Sequence, residues 1–286
     1  MTCDWDPDFL ERSPMFAPLA RDAGWLRTAD WPTLANLQRA LAQRHPPLRA
    51  ESGAQIRFVP QERRPAGFEA RYEPRIYLKG EVQVRERSWH DLMNALVWLT
   101  FPRAKAALNA RHYEALRAQE GAGSPNRGPV QDTMTLFDEG GVIVTARDRA
   151  LLQLLANFEW KRLFWENRNR VSTDMRFYLF GHAIYEKALH PFTGITARGL
   201  LFEVDGRFFA APLETQLDRV DALAARARAG ADPRRSRMVC GERARIVLRQ
   251  SRLLQERKKA PFVRLKRLGA VRRRRELPPR CDRRTP

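Results

Sequence analysis

Cysteine is scarce in this chain of 286 residues: Cys3, Cys240 and Cys281 stand far apart, in no metal-ligand spacing. An odd count of isolated thiols suits a reducing compartment and argues against a cysteine-built zinc site. Long apolar runs are also missing, since none approaches the ~18 residues that a membrane-spanning helix needs. The opening Met1-Thr2-Cys3-Asp4-Trp5-Asp6 carries carboxylates where a secretory leader would carry basic residues and then an apolar stretch. A cytoplasmic protein with no membrane partner is the expectation. There is no glycine-rich phosphate cradle, no nucleophile-elbow pentapeptide and no internal repeat. What is present is enough for a core: 43% apolar residues and 9% aromatics exclude disorder along the whole length. The length fits one large domain or two small ones.

The formal charge of +19 is unevenly spread. Residues 230–286 hold 17 Arg and 3 Lys against 2 Asp and 3 Glu, a net of +15, whereas residues 1–229 are nearly balanced at +4. The chain therefore divides into a body, 1–229, and a basic C-terminal tail, 230–286, expected to be partly disordered, with one helical stretch at Arg243–Lys259. The tail fits a nucleic-acid-binding or phosphate-binding arm. Phe262 is its only aromatic, which argues against base stacking. A dispensable extension, or a C-terminus replaced by a reading-frame change near Ala229, fits the abrupt change of composition equally well.

In the body, turn signals and periodicity predict helices interleaved with antiparallel hairpins, a helix-rich α+β single domain. The expected hairpins are Arg75–Leu78 with Glu81–Val84 through Lys79-Gly80, Thr133–Phe137 with Val142–Thr145 through Asp138-Glu139-Gly140-Gly141, and Leu200–Val204 with Arg207–Ala211 through Asp205-Gly206. Helices are expected after Pro32, at Trp89–Leu99 behind the N-cap Ser88, from Pro102 to Ala118, after Thr145-Asp148, at Arg176–His190 and from Pro212 to Ala229.

The chemistry-bearing residues cluster on these helices. His182, Glu186 and His190 recur at i, i+4, i+8, a stripe about 80° wide on a helix that is apolar almost all round. A buried His/Glu pair serves acid–base chemistry, shares a metal ion, or is a satisfied core hydrogen bond. His90 and Asn94 stand together at i, i+4, and Lys105, Asn109 and His112 share one side of the next helix. A Lys/Asn/His stripe can contact an anionic or carbonyl ligand; an ordinary solvated face is the plainer reading. Arg127 and Asp132 border the Gly121–Gly128 loop, from which Arg127 could clamp a carboxylate or phosphate.

The block Trp89-His90-Asp91-Leu92-Met93-Asn94-Ala95-Leu96-Val97-Trp98-Leu99-Thr100-Phe101-Pro102, with Lys105, Leu108-Asn109 and His112 beyond it, resembles the bacterial family called domain of unknown function 3025. The runs Arg127-Gly128, Leu136-Phe137-Asp138-Glu139-Gly140 and Gly181-His182-Ala183-Ile184-Tyr185-Glu186 are similar too, and the likeness covers most of residues 9–229. It implies no reaction, and the tail does not look like the family's usual end. Together these features predict one polar pocket with His182, Glu186, His90 and His112 as catalytic candidates and Asn94, Lys105, Asn109, Arg127 and Asp132 as ligand-binding candidates. If a metal is bound, His182 and Glu186 are its candidate ligands. The expected ligand is small and polar or anionic, no cofactor is named by any motif, and nucleic-acid binding through the tail is the alternative.

Overall fold

The computed structural model describes residues 4–21, 23–62, 67–121, 128–192 and 194–228, with two short strands at 237–238 and 245–248. The N-terminal segment runs through three 3₁₀ turns, Phe9–Glu11, Pro14–Ala20 and Ala23–Leu26, before α1 (Leu34–Ala42). Thr33 caps α1 in a reciprocal capping box with Asn36. Trp5, Phe9, Trp31 and Trp89 pack ring on ring, with centroids 4.9–6.0 Å apart. These contacts fasten the N-terminal segment to the first turn of α3.

β1 (Arg57–Pro60) is followed by α2 (Tyr72–Lys79) and β2 (Glu81–Val84), and β2 pairs with β1 in parallel, Arg57 opposite Glu81. Gly80 ends α2 at φ 71°, where a Cβ would lie 2.0 Å from the Gln55 carbonyl oxygen. A left-handed helix stop against backbone at that distance admits only glycine. α3 (Trp89–Thr100) packs against the later helix His182–Leu189, and α4 (Pro102–Gly121) packs against α2 and the later helices Pro129–Gly140 and Leu213–Arg228. Ser88 caps α3 by accepting from the Asp91 amide. The Asp91 carboxylate does not return the bond but grips Arg85 through the backbone amide and the guanidinium.

α5 (Pro129–Gly140) leads directly into β3 (Gly141–Ala146), then come α6 (Arg149–Ala156), a π-helical turn (Arg162–Glu166), α7 (Arg168–Asp174) and β4 (Met175–Leu179). α8 (His182–Leu189), β5 (Ile195–Glu203), α9 (Gly206–Ala210) and α10 (Leu213–Arg228) complete the body, with β6 (Arg237–Met238) and β7 (Arg245–Leu248) beyond it. β3 and β5 are the inner strands of the second sheet: β3 is antiparallel to β4 and parallel to β5, and β6 and β7 both pair antiparallel with β5. All six residues of β3 are buried, the continuous apolar run expected of a strand covered on both faces. α10 lies along α4, and its buried Asp221 accepts from the backbone N–H groups of Arg103 and Ala104 at 3.1 and 2.8 Å. It thereby caps α4 from another helix.

The α+β, helix-rich class stands, but the three expected hairpins do not form. Arg75–Leu78 lies within α2, Thr133–Phe137 within α5, and Arg207–Ala211 within α9 but for Ala211. The turn residues instead serve helix ends: Gly80 stops α2, and Asp205 caps α9 by accepting from the Phe208 amide. The helix expected over Arg176–His190 is split, because its first part is β4 and Gly181 intervenes before α8. The helix expected over Arg243–Lys259 is strand β7 at Arg245–Leu248; the rest of that stretch, like most of the tail, lies outside the described residues. No helix among the described residues is long and apolar enough to cross a membrane.

Candidate functional site

Two buried helices meet where their first turns carry imidazoles. On α3, His90 follows the capped start; on α8, His182 is the first helical residue, immediately after Gly181. Gly181 allows this approach: a Cβ there would lie 2.4 Å from the Glu139 carbonyl oxygen and 2.5 Å from the Gly141 nitrogen. Backbone contact therefore sets α8 against the end of α5, which carries Asp138.

The side chains form a continuous line. Glu186 Oε2 lies 2.9 Å from His90 Nδ1, and His90 Nε2 lies 3.0 Å from His182 Nε2, with the rings edge-on at 82°. His182 Nδ1 stands 3.5 Å from Asp138 Oδ2, an ion-pair distance without hydrogen-bond geometry. Lys105 Nζ donates to Asp138 Oδ1 at 2.5 Å and to Asn94 Oδ1 at 2.9 Å, and Asn94 Nδ2 donates to the Tyr72 hydroxyl at 2.7 Å. Beside this line Asn109 Nδ2 donates to Glu73 Oε2 at 2.6 Å and to the Glu73 carbonyl at 3.0 Å. A cavity of about 1110 Å³ opens over the group, with His90, His112, Asp138 and His182 in its wall. The family described as "Protein of unknown function (DUF3025)" matches residues 56–239. The chain belongs to this family. No curated protein and no solved structure matches it. The match spans every residue of this DUF3025 site and also takes in β6.

The proton positions follow from the partners. His90 Nδ1 faces a carboxylate and so carries its hydrogen. With both rings neutral, His182 Nε2–H donates to His90 Nε2, and His182 Nδ1 turns a bare lone pair toward Asp138. One further proton reverses the middle bond: His182 Nδ1–H faces Asp138, and His90 Nε2–H donates to His182 Nε2. The pair thus has a place for one exchangeable proton, and uptake at one ring is felt at the other. Burial pushes the His182 imidazole down to about 4; Asp138 pulls the other way, and Lys105 and His90 add to the fall. Burial also works against ionised Asp138, yet the Lys105 ammonium, with the imidazoles of His182 and His112, holds this carboxyl below its usual value. Burial raises the Glu73 carboxyl, with Asp138 adding to the rise and His112, Asn109 and Lys105 opposing it.

Of the residues singled out in the sequence, His90, Asn94, Lys105, His182 and Glu186 are joined by contacts, and Asn109 and His112 are buried beside them. Three assignments change. His182 and Glu186 do not meet each other, because His90 stands between them and takes one on each ring nitrogen. They offer no common point to a metal ion, and no group of three or more His, Cys, Asp or Glu side chains suited to one occurs among the described residues. Lys105 is 4% exposed and committed to Asp138 and Asn94, so it is not a free clamp for an anion. Asp132 is exposed on the first turn of α5 and does not line the cavity. Arg127 lies outside the described residues. Asp138, Tyr72 and Glu73 were not among the candidates, since the first sat in an expected turn and the other two beside an expected strand. The left-handed stop at Gly80, read as the end of a helix, would have placed Tyr72 and Glu73 on α2.

Proposed function

We propose that this DUF3025 protein is an enzyme using general acid–base chemistry on a small polar substrate held in the cavity, with the His182–His90 pair passing the proton. The observation that carries the reading is the hydrogen-bonded Glu186–His90–His182 line, with the Asp138 carboxylate 3.5 Å from its far end, bordering a cavity large enough for a metabolite-sized molecule. The pair takes up and returns the proton as a unit, His90 being the ring nearer the cavity (side chain 38% exposed against 7% for His182), and Glu186 and Asp138 flank the two rings. Lys105 holds the Asp138 carboxylate and Asn109 that of Glu73, Asn94 ties Lys105 to Tyr72, and His112 completes the wall. The nucleic-acid alternative draws no support from the described residues.

The test is turnover. Purified protein is assayed against panels of esters, amides, phosphomonoesters and amines, beside His90→Gln and His182→Gln, with circular dichroism as the check on folding. Activity that falls by about 10²-fold or more in both folded variants supports acid–base catalysis. Activity unchanged in both, or no turnover of any panel, overturns it.

A further inference from the structure

The wall of the cavity is acidic in a strongly basic chain. Glu62, Glu73, Asp91, Glu120, Asp138 and Glu139 face it, against the guanidinium groups of Arg71 and Arg85. Among the described residues, the Arg and Lys side chains at or beside this wall are already engaged. Arg85 is held in a two-pronged pair with Asp91 at 2.8 Å, Arg71 lies 3.8 Å from Glu120, and Lys105 is bonded to Asp138. Glu73 is different: its bonds are to the amide of Asn109 and it has no cation within ion-pair distance. Among the described residues a negative ligand would therefore find no cation outside an ion pair, and a positive one would find a carboxylate that has no ion-pair partner of its own.

Hydrogen-bond bookkeeping gives a separate indication of the same kind. Gln131 is 2% exposed and lines the cavity; its Nε2 donates to Gln119, but its Oε1 has no partner. Behind Glu73, the buried Asn109 spends its amide N–H groups on Glu73 and leaves its own Oδ1 without a donor. Buried amide oxygens without donors are costly and call for one. An ammonium or guanidinium group brings only donors, several at once, and a positive charge. We infer that the ligand of this cavity carries a primary ammonium or guanidinium head, received by the Glu73 carboxylate in the wall that Gln131 also lines.

This rests on the same cavity being the functional site, but it is read by binding rather than turnover. Butylammonium and butylguanidinium, with butyramide and butyrate as neutral and negative counterparts, are titrated into the full-length protein, following the imidazole and indole signals by NMR. The expected result is binding of the two cations at least about tenfold tighter than of butyrate. Glu73→Gln should weaken cation binding by about tenfold, and Glu139→Gln, at an exposed position of the wall, by a smaller factor in the same direction. Butyrate or butyramide binding as tightly as butylammonium overturns the inference, as does cation binding unaffected by either substitution. The two proposals separate cleanly: cation binding without turnover of any panel removes the acid–base reading alone, and turnover with butyrate preferred removes this one alone.

Discussion

Asp138 and Asp221 are both carboxylates withdrawn from water, the first at the wall of the cavity and the second clamped between α10 and α4. Asp221 accepts two backbone N–H bonds at a helix start, yet burial still carries its carboxyl up to about 6. Asp138 faces the same burial, and an ammonium at 2.5 Å with two imidazoles behind it reverses the outcome. At Asp221 two amide N–H bonds oppose burial without offsetting it, whereas at Asp138 a full positive charge does offset it. One carboxylate thus serves as a helix clamp, and the other is a fixed negative charge against which His182 can hold a proton.

The largest break in that comparison comes from Asp138→Ala, which leaves the Lys105 side chain, 5% exposed, without its counter-charge. A loss of about 3–5 kcal/mol is expected in urea unfolding, most of it recovered in Lys105→Met/Asp138→Leu. Gly181→Ala disturbs Asp138 without touching a charge, since the new Cβ would press on the backbone of Glu139 and Gly141. It should cost about 1–3 kcal/mol and weaken the His182–His90 contact as seen by NMR. Asp221→Ala should cost about 0.5–2 kcal/mol, the range for losing a helix cap. If it cost more than Asp138→Ala, the contrast between clamp and charge pair would be wrong.

The smallest effect is the most discriminating, because the two regions respond to pH with opposite sign. A carboxyl raised in the folded state, such as Asp221, contributes stability that is present below its unfolded value of 3.8 and lost as pH climbs through about 6. An imidazole depressed in the folded state, such as His182, contributes stability that is present above its unfolded value of 6.5 and lost as pH falls toward about 4. Measured as urea midpoints at several pH values, Asp221→Asn should gain on the wild type as pH rises from about 4 to 6.5. His182→Gln should gain on it as pH falls over the same interval. Parallel profiles for the two variants would show that the buried groups do not titrate as their surroundings imply.

Much of the helical frame is legible in the chain. Ser88 before an apolar run, Pro102 at a helix start and the spacing of Leu34, Leu37 and Leu41 all correspond to observed helices. The hairpins were not legible, for a physical reason: Gly80 and Asp205 are residues that turn a chain, and turning a chain at a helix end needs the same chemistry as turning it between strands. Which of the two occurs depends on what the flanking residues pack against, and Tyr72–Lys79 packs against α4. The site was half legible. Helical spacing gathered His90 with Asn94, and Lys105 with Asn109 and His112, because those neighbours lie on one element. That His90 stands between His182 and Glu186 is a tertiary fact that no local spacing contains, and Asp138 was hidden by its apparent place in a turn.

The bond between the two imidazoles closes a loop of 92 residues, and the one from His90 to Glu186 a loop of 96. Contacts of such range carry a loop-closure cost that contacts within one helix do not. The paired rings therefore depend on the docking of α3 against α8. A nascent or damaged chain with its helices formed but its two halves undocked would hold every one of these side chains and none of their arrangement.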